Sequence, residues 1–88
     1  LKERVVRDAD TGEVIEYALA YVNLAITTAD NGRVLGYDNS HRSHHRHAMG
    51  TIGPFEFTTY EELRRRFERE WIEIATRHAN RELGRVRP

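Results

Sequence analysis

The sequence contains no cysteine. Disulfide staples and thiolate metal sites are therefore both excluded. Long apolar runs are missing too: nothing approaches the ~20 apolar residues that cross a bilayer as a helix. No signal-peptide pattern is visible at Leu1. The expectation is a cytoplasmic protein without membrane contact. Net charge is zero with the histidines neutral, so the chain is not a strongly basic polyanion binder. With 88 residues there is room for one small domain, 1–88, and none for a separate cofactor domain. A core this thin is often completed by self-association, and a homodimer is expected.

What the chain does have is a concentration of imidazoles. Four of its five histidines, His41, His44, His45 and His47, fall in one short stretch with Arg42 and Arg46. Tyr37, Asp38 and Asn39 come just before them. An unperturbed imidazole titrates near ~6.5, so such a cluster suits proton transfer near neutral pH.

The surrounding pattern reads as a scaffold. Arg4 to Arg7 is a short strand, and Asp10-Thr11-Gly12-Glu13 is a turn. Val14 to Thr27 alternates like a strand, with Ala18, Ala20, Val22, Leu24 and Ile26 on one face and Tyr17, Leu19, Tyr21 and Asn23 on the other. The small alanines suggest that a helix lies over their face. The tyrosine face is then left as a dimer or binding surface. Asn31-Gly32 predicts a two-residue hairpin turn. Arg33 to Asn39 runs back as a strand, Ser40 to Ser43 turns, and His44 to Met49 forms a further strand that Gly50, Gly53 and Pro54 break.

A helix follows. Thr58 with Glu61, or Thr59 with Glu62, fits a capping box. Tyr60, Leu63, Phe67, Trp71, Ile74 and His78 recur at helical spacing, widened by Ile72 and Ala75. Arg64, Arg65 and Arg66 read as a solvated face because glutamates interleave with them. Gly84 is read as the stop. The expected fold is α+β: an antiparallel sheet of about four strands (about 4–50), one long C-terminal helix (about 59–82) packed on one face, and a loose tail (84–88).

Strand alternation puts His45 and His47 on one face and His44 and Arg46 on the other. Asp38 lies on the reverse of Tyr37 and Asn39. A carboxylate beside an imidazole fixes its tautomer, and an arginine can stabilise charge gained by a phosphate. Asp38, His44, His45, Arg46 and His47 are thus suitable parts for metal-free phosphodiester cleavage. One histidine would take the 2′-hydroxyl proton, and another, or Tyr37, would protonate the leaving oxygen. His41, Asn39 and Arg42 are the candidate substrate-binding residues. The same cluster could instead hold a divalent metal, with His45 and His47 as two ligands and Asp38 as a third. No other cofactor is expected. Asp38-Asn39 could also form only an Asx turn. A third reading is a non-enzymatic interaction module working through its uncovered sheet face.

Gly36-Tyr37-Asp38-Asn39-Ser40-His41 and His44-His45-Arg46-His47-Ala48-Met49-Gly50 resemble the TumE-like toxin family. Its members carry a Tyr-Asp-Asn-Ala segment followed by histidines, then His-His-Lys/Arg-His and a glycine. Ser40 stands where the small residue is usual, and the spacer is shorter than in many members. The resemblance implies the toxin of a prokaryotic toxin–antitoxin pair. Its expected partner is a helix-turn-helix DNA-binding antitoxin, and RNA is the expected substrate by analogy with other small toxins.

Overall fold

The computed structural model describes residues 1–86. Five strands form one antiparallel sheet in chain order: β1 Lys2–Arg7, β2 Val14–Val22, β3 Arg33–Asp38, β4 His45–Ala48 and β5 Thr51–Pro54. One helix, α1 Tyr60–Val86, follows. The α+β expectation holds, with one strand more than the four foreseen.

The extra strand comes from a turn that the sequence disguises. Met49 and Gly50 both have positive φ, at 46° and 89°, and Ala48 pairs with Thr51 across them. That is the two-residue, mirror-image turn whose twist suits a hairpin. Asn31-Gly32 does not make one. Asp30, Asn31 and Gly32 all take positive φ, but inside a 3₁₀ turn at the end of a longer connection. β2 therefore stops at Val22, not Thr27. The Asn23 amide closes the connection on the Gly32 carbonyl at 2.8 Å.

Asp8 nucleates the first hairpin, its Oδ1 accepting from the amides of Asp10 and Thr11 at 2.9 Å each. The helix cap resolves to Thr59, whose Oγ1 accepts from the Glu62 amide at 3.1 Å. The Glu62 carboxylate bonds the Thr58 hydroxyl.

The helix covers the tyrosine face and not the alanine face. Tyr17, Leu19, Tyr21, Leu35 and Tyr37 from the sheet pack with Tyr60, Leu63 and Phe67 from the helix. Burying these large side chains removes far more apolar area than covering alanines, at ~25 cal/mol per Å². The expected dimer surface is thus consumed inside the chain. Trp71 is half-buried, tilted against Tyr21 at 5.5 Å between ring centroids. Ile72 is exposed and does not widen the packed stripe.

Of the three arginines read as a solvated face, Arg64 and Arg65 are exposed, and only Arg66 departs from that reading. Arg64 reaches Glu3 at 3.1 Å. Arg66 lies over the Tyr37 ring, 5.5 Å from its centroid. Gly84 does not end the helix either. It lacks the positive φ of a C-terminal stop, and an interior glycine costs only ~1 kcal/mol. Residues 87 and 88 of the expected tail lie outside the described residues. Among the described residues, no helix is long and apolar enough to cross a membrane.

Candidate functional site

β3 and β4 carry the chemistry-bearing side chains, and their register divides these between two faces. Tyr37 pairs with Arg46, Asp38 with His45, and Gly36 with His47. Tyr37 and Arg46 therefore point under the helix. Asp38, His45 and His47 point to the uncovered face, hereafter the open face. The sequence reading of strand parity is correct, and its consequence is two networks instead of one cluster.

On the open face, His47 Nε2 lies 2.6 Å from Asp38 Oδ2. Its Nδ1 lies 3.0 Å from an Arg33 guanidinium nitrogen. A guanidinium can only donate, so Nδ1 accepts and Nε2–H donates to Asp38. Arg33 is held in turn by Asp30 at 2.6 Å. His47 is almost fully enclosed, at 8% exposure, and both its nitrogens are engaged. His45 is the more open partner. Its Nδ1 is 3.7 Å from Asp38 Oδ1, too long for a hydrogen bond. Its ring centroid is 6.5 Å from that of His47.

Asp38 also accepts from the Ser40 amide at 3.1 Å, so the Asx turn exists alongside the histidine contacts. Burial alone would raise this carboxyl. The Ser40 amide and the His47 imidazole outweigh burial and hold it below the usual carboxylate range.

Arg33 was not foreseen, and the reason is a β-bulge. Simple alternation groups Arg33 with Leu35 and Tyr37, under the helix. The register shifts between Tyr21 and Val22, so Val22 pairs with Arg33 and Val34 has no partner. Val34 turns inward and is buried. Arg33 is thrown to the open face. Gly36 then leaves the floor on which it lies: a Cβ there would come within 2.9 Å of Arg33 Cδ.

Beneath the helix, Tyr37 donates to Glu70. Arg46 donates from Nε to the Tyr37 hydroxyl at 3.0 Å and from a terminal nitrogen to Glu70 at 2.6 Å. Arg66 adds a bond to Glu70 at 3.2 Å. Burial would raise Glu70, but the Tyr37 bond and the two arginines bring it below its ordinary value. Burial, and next the Glu70 bond, push the Tyr37 hydroxyl up to about 12. Glu70 was missed by sequence reading, although its spacing from Phe67 and Ile74 places a carboxylate on the apolar stripe.

His44 belongs to neither network. Its Nδ1 meets the Tyr17 hydroxyl at 2.6 Å, and its ring stacks on Phe57 at 4.3 Å with 3° between planes. Asn39 ties β3 to β2, accepting from the Tyr17 amide and donating to the Ile15 carbonyl at 3.0 Å each. His41 and Arg42 sit exposed in the Ser40–Arg42 turn, both at positive φ. Among the described residues, no three His, Asp or Glu side chains converge as a metal-ligand set. Within the His45, His47 and Asp38 set, the lone pair of His47 Nδ1 is already taken by Arg33.

The search of curated proteins and the search of solved structures each return no match. A family model described as Toxin TumE matches residues 2–78, from the first strand to the middle of the helix, including both networks. The chain belongs to the TumE toxin family.

Proposed function

We propose that this chain is the toxin of a type II toxin–antitoxin pair, acting in the cytoplasm as a metal-independent endoribonuclease. Its antitoxin would be a helix-turn-helix DNA-binding protein. The observation that carries the enzymatic reading is on the open face. Two imidazoles address one carboxylate, Asp38, with ring centroids 6.5 Å apart and the Arg33 guanidinium 3.0 Å from His47.

In this reading His45 is the general base. Its ring is partly exposed, and Asp38 orients it and favours the imidazolium that forms. His45 takes the proton of a 2′-hydroxyl, and the 2′-oxygen attacks the adjacent phosphorus. The bond to the 5′-oxygen breaks, leaving a 2′,3′-cyclic phosphate. Arg33 turns to the phosphate and stabilises the charge that it gains. That movement frees the lone pair of His47 Nδ1, which takes up a proton from water; the resulting imidazolium, held by Asp38, then gives that proton to the departing 5′-oxygen. Tyr37 takes no part in this scheme, because it faces under the helix and donates to Glu70. Arg46 likewise serves the helix network. His44, with Tyr17, is a third imidazole, on the other side of the sheet.

The test is cleavage of total RNA by the purified protein, with and without EDTA, beside His45→Ala. Cleavage that survives EDTA and disappears in the variant is the expected result. Loss of cleavage to EDTA would move the cluster to metal chemistry. Equal cleavage by the variant would remove His45 from the reaction.

A further inference from the structure

On the helix side of the sheet, a cleft of about 380 Å³ runs between the segment after β5 and the first turns of α1. That volume is within the range of pockets that hold small ligands. Phe55, Phe57 and Thr58 form one wall, and Arg65, Arg66 and Arg69 form the other. Glu56 and Glu62 also border it.

The arginines are not accounted for by the fold alone. Arg66 has Glu70 and two aromatic rings. Arg65 and Arg69 are exposed, and no ion pair holds either among the described residues. Glu73, one turn beyond Arg69, pairs with Arg77 at 2.5 Å instead. Two cations one turn apart on a helix repel each other unless something anionic lies between them.

The opposite wall is aromatic. Phe55 and Phe57 are half-buried, and Phe57 is braced by its stack on His44. Fixed rings opposite unpaired guanidiniums recur in sites that take bases and phosphates together.

We infer that this cleft binds single-stranded RNA, with phosphates on Arg65 and Arg69 and a base against Phe57 or Phe55. The cleft begins next to the β5 edge of the sheet. Phe55 directly follows Pro54, the residue that pairs with His45 across the edge of the sheet. A single strand seated here can pass around the short β5 edge. The inference concerns binding alone and stands whether or not the open face cleaves RNA.

Fluorescence anisotropy with a labelled 2′-O-methyl RNA oligonucleotide tests it. That probe lacks the 2′-hydroxyl nucleophile, so binding is read apart from cleavage. Wild-type protein should bind it with an affinity that falls as salt rises. The double variant Arg65→Ala with Arg69→Ala should bind at least about tenfold more weakly and lose about 1.4 from the log–log salt slope. Phe57→Leu keeps bulk against His44 and should weaken binding about fivefold or more. Circular dichroism on each variant checks that the fold is kept. Unchanged binding by the arginine variant would overturn the inference. So would a duplex or an oligo-glutamate peptide bound as tightly as the single strand, or wild-type protein that binds no single strand at low salt.

Discussion

Tyr37 and Asp38 are adjacent in the chain and serve opposite sides of the sheet. Tyr37 donates to Glu70 beneath the helix, and Asp38 receives His47 on the open face. One peptide unit thus separates a network that fastens the helix from one with the parts for proton transfer. Variants in the two networks should have separable effects.

His45→Ala should abolish RNA cleavage, by ~10²-fold or more, with little loss of stability. Its side chain is partly exposed and, among the described residues, comes no nearer to Asp38 than 3.7 Å, beyond hydrogen-bond distance. Thermal melting within ~0.5 kcal/mol of wild type, measured beside the cleavage rate, is the expected pair of results.

Gly36→Ala tests Arg33 without touching a histidine. The added methyl meets Arg33 Cδ at 2.9 Å and the Leu19 carbonyl oxygen at 3.2 Å. Arg33 should be pushed off His47, and cleavage should fall by about tenfold or more. Stability should drop by ~1–2 kcal/mol from the crowding, as read by urea denaturation. Cleavage at the wild-type rate would show that Arg33 is not needed where it lies.

Glu70→Gln should act on the fold. It removes the charge that Arg46 and Arg66 share and weakens the acceptor for Tyr37. These groups are partly exposed, so the cost should be about 1–3 kcal/mol, less than for a fully buried pair. In a domain of this size each kcal/mol lowers the melting temperature by roughly 4–8 °C. Cleavage measured well below the melting point should be retained.

Acid should unfold the chain through the same carboxyls. Asp38 and Glu70 both sit below their ordinary values when folded. The unfolded chain therefore binds protons first as pH falls. Their stabilisation is complete above the unfolded values, about 3.9 and 4.3, and is lost as pH drops through the folded ones. Urea midpoints followed from pH 6 down to pH 2.5 should fall below about pH 4. The fall should be shallower in Glu70→Gln.

Sequence periodicity was enough to determine the α+β class, the helix start near Thr59 and the split of His45 and His47 from His44 and Arg46. Those features depend on local rules: strand parity, capping chemistry and helical spacing. The family was legible as well, because its Tyr-Asp-Asn and His-His-Arg-His segments are contiguous in the chain. Which sheet face the helix covers was not. Alanines offer room, but the large tyrosine face offers more area to bury, and only packing against Leu63 and Phe67 decides between them. Arg33 and Glu70 also needed the tertiary structure. One is turned to its site by a bulge in β3, and the other meets Tyr37 from a helix 33 positions away in the chain. Local sequence cannot report a register shift or a long-range pairing, since both are set by how the whole sheet and helix close on each other.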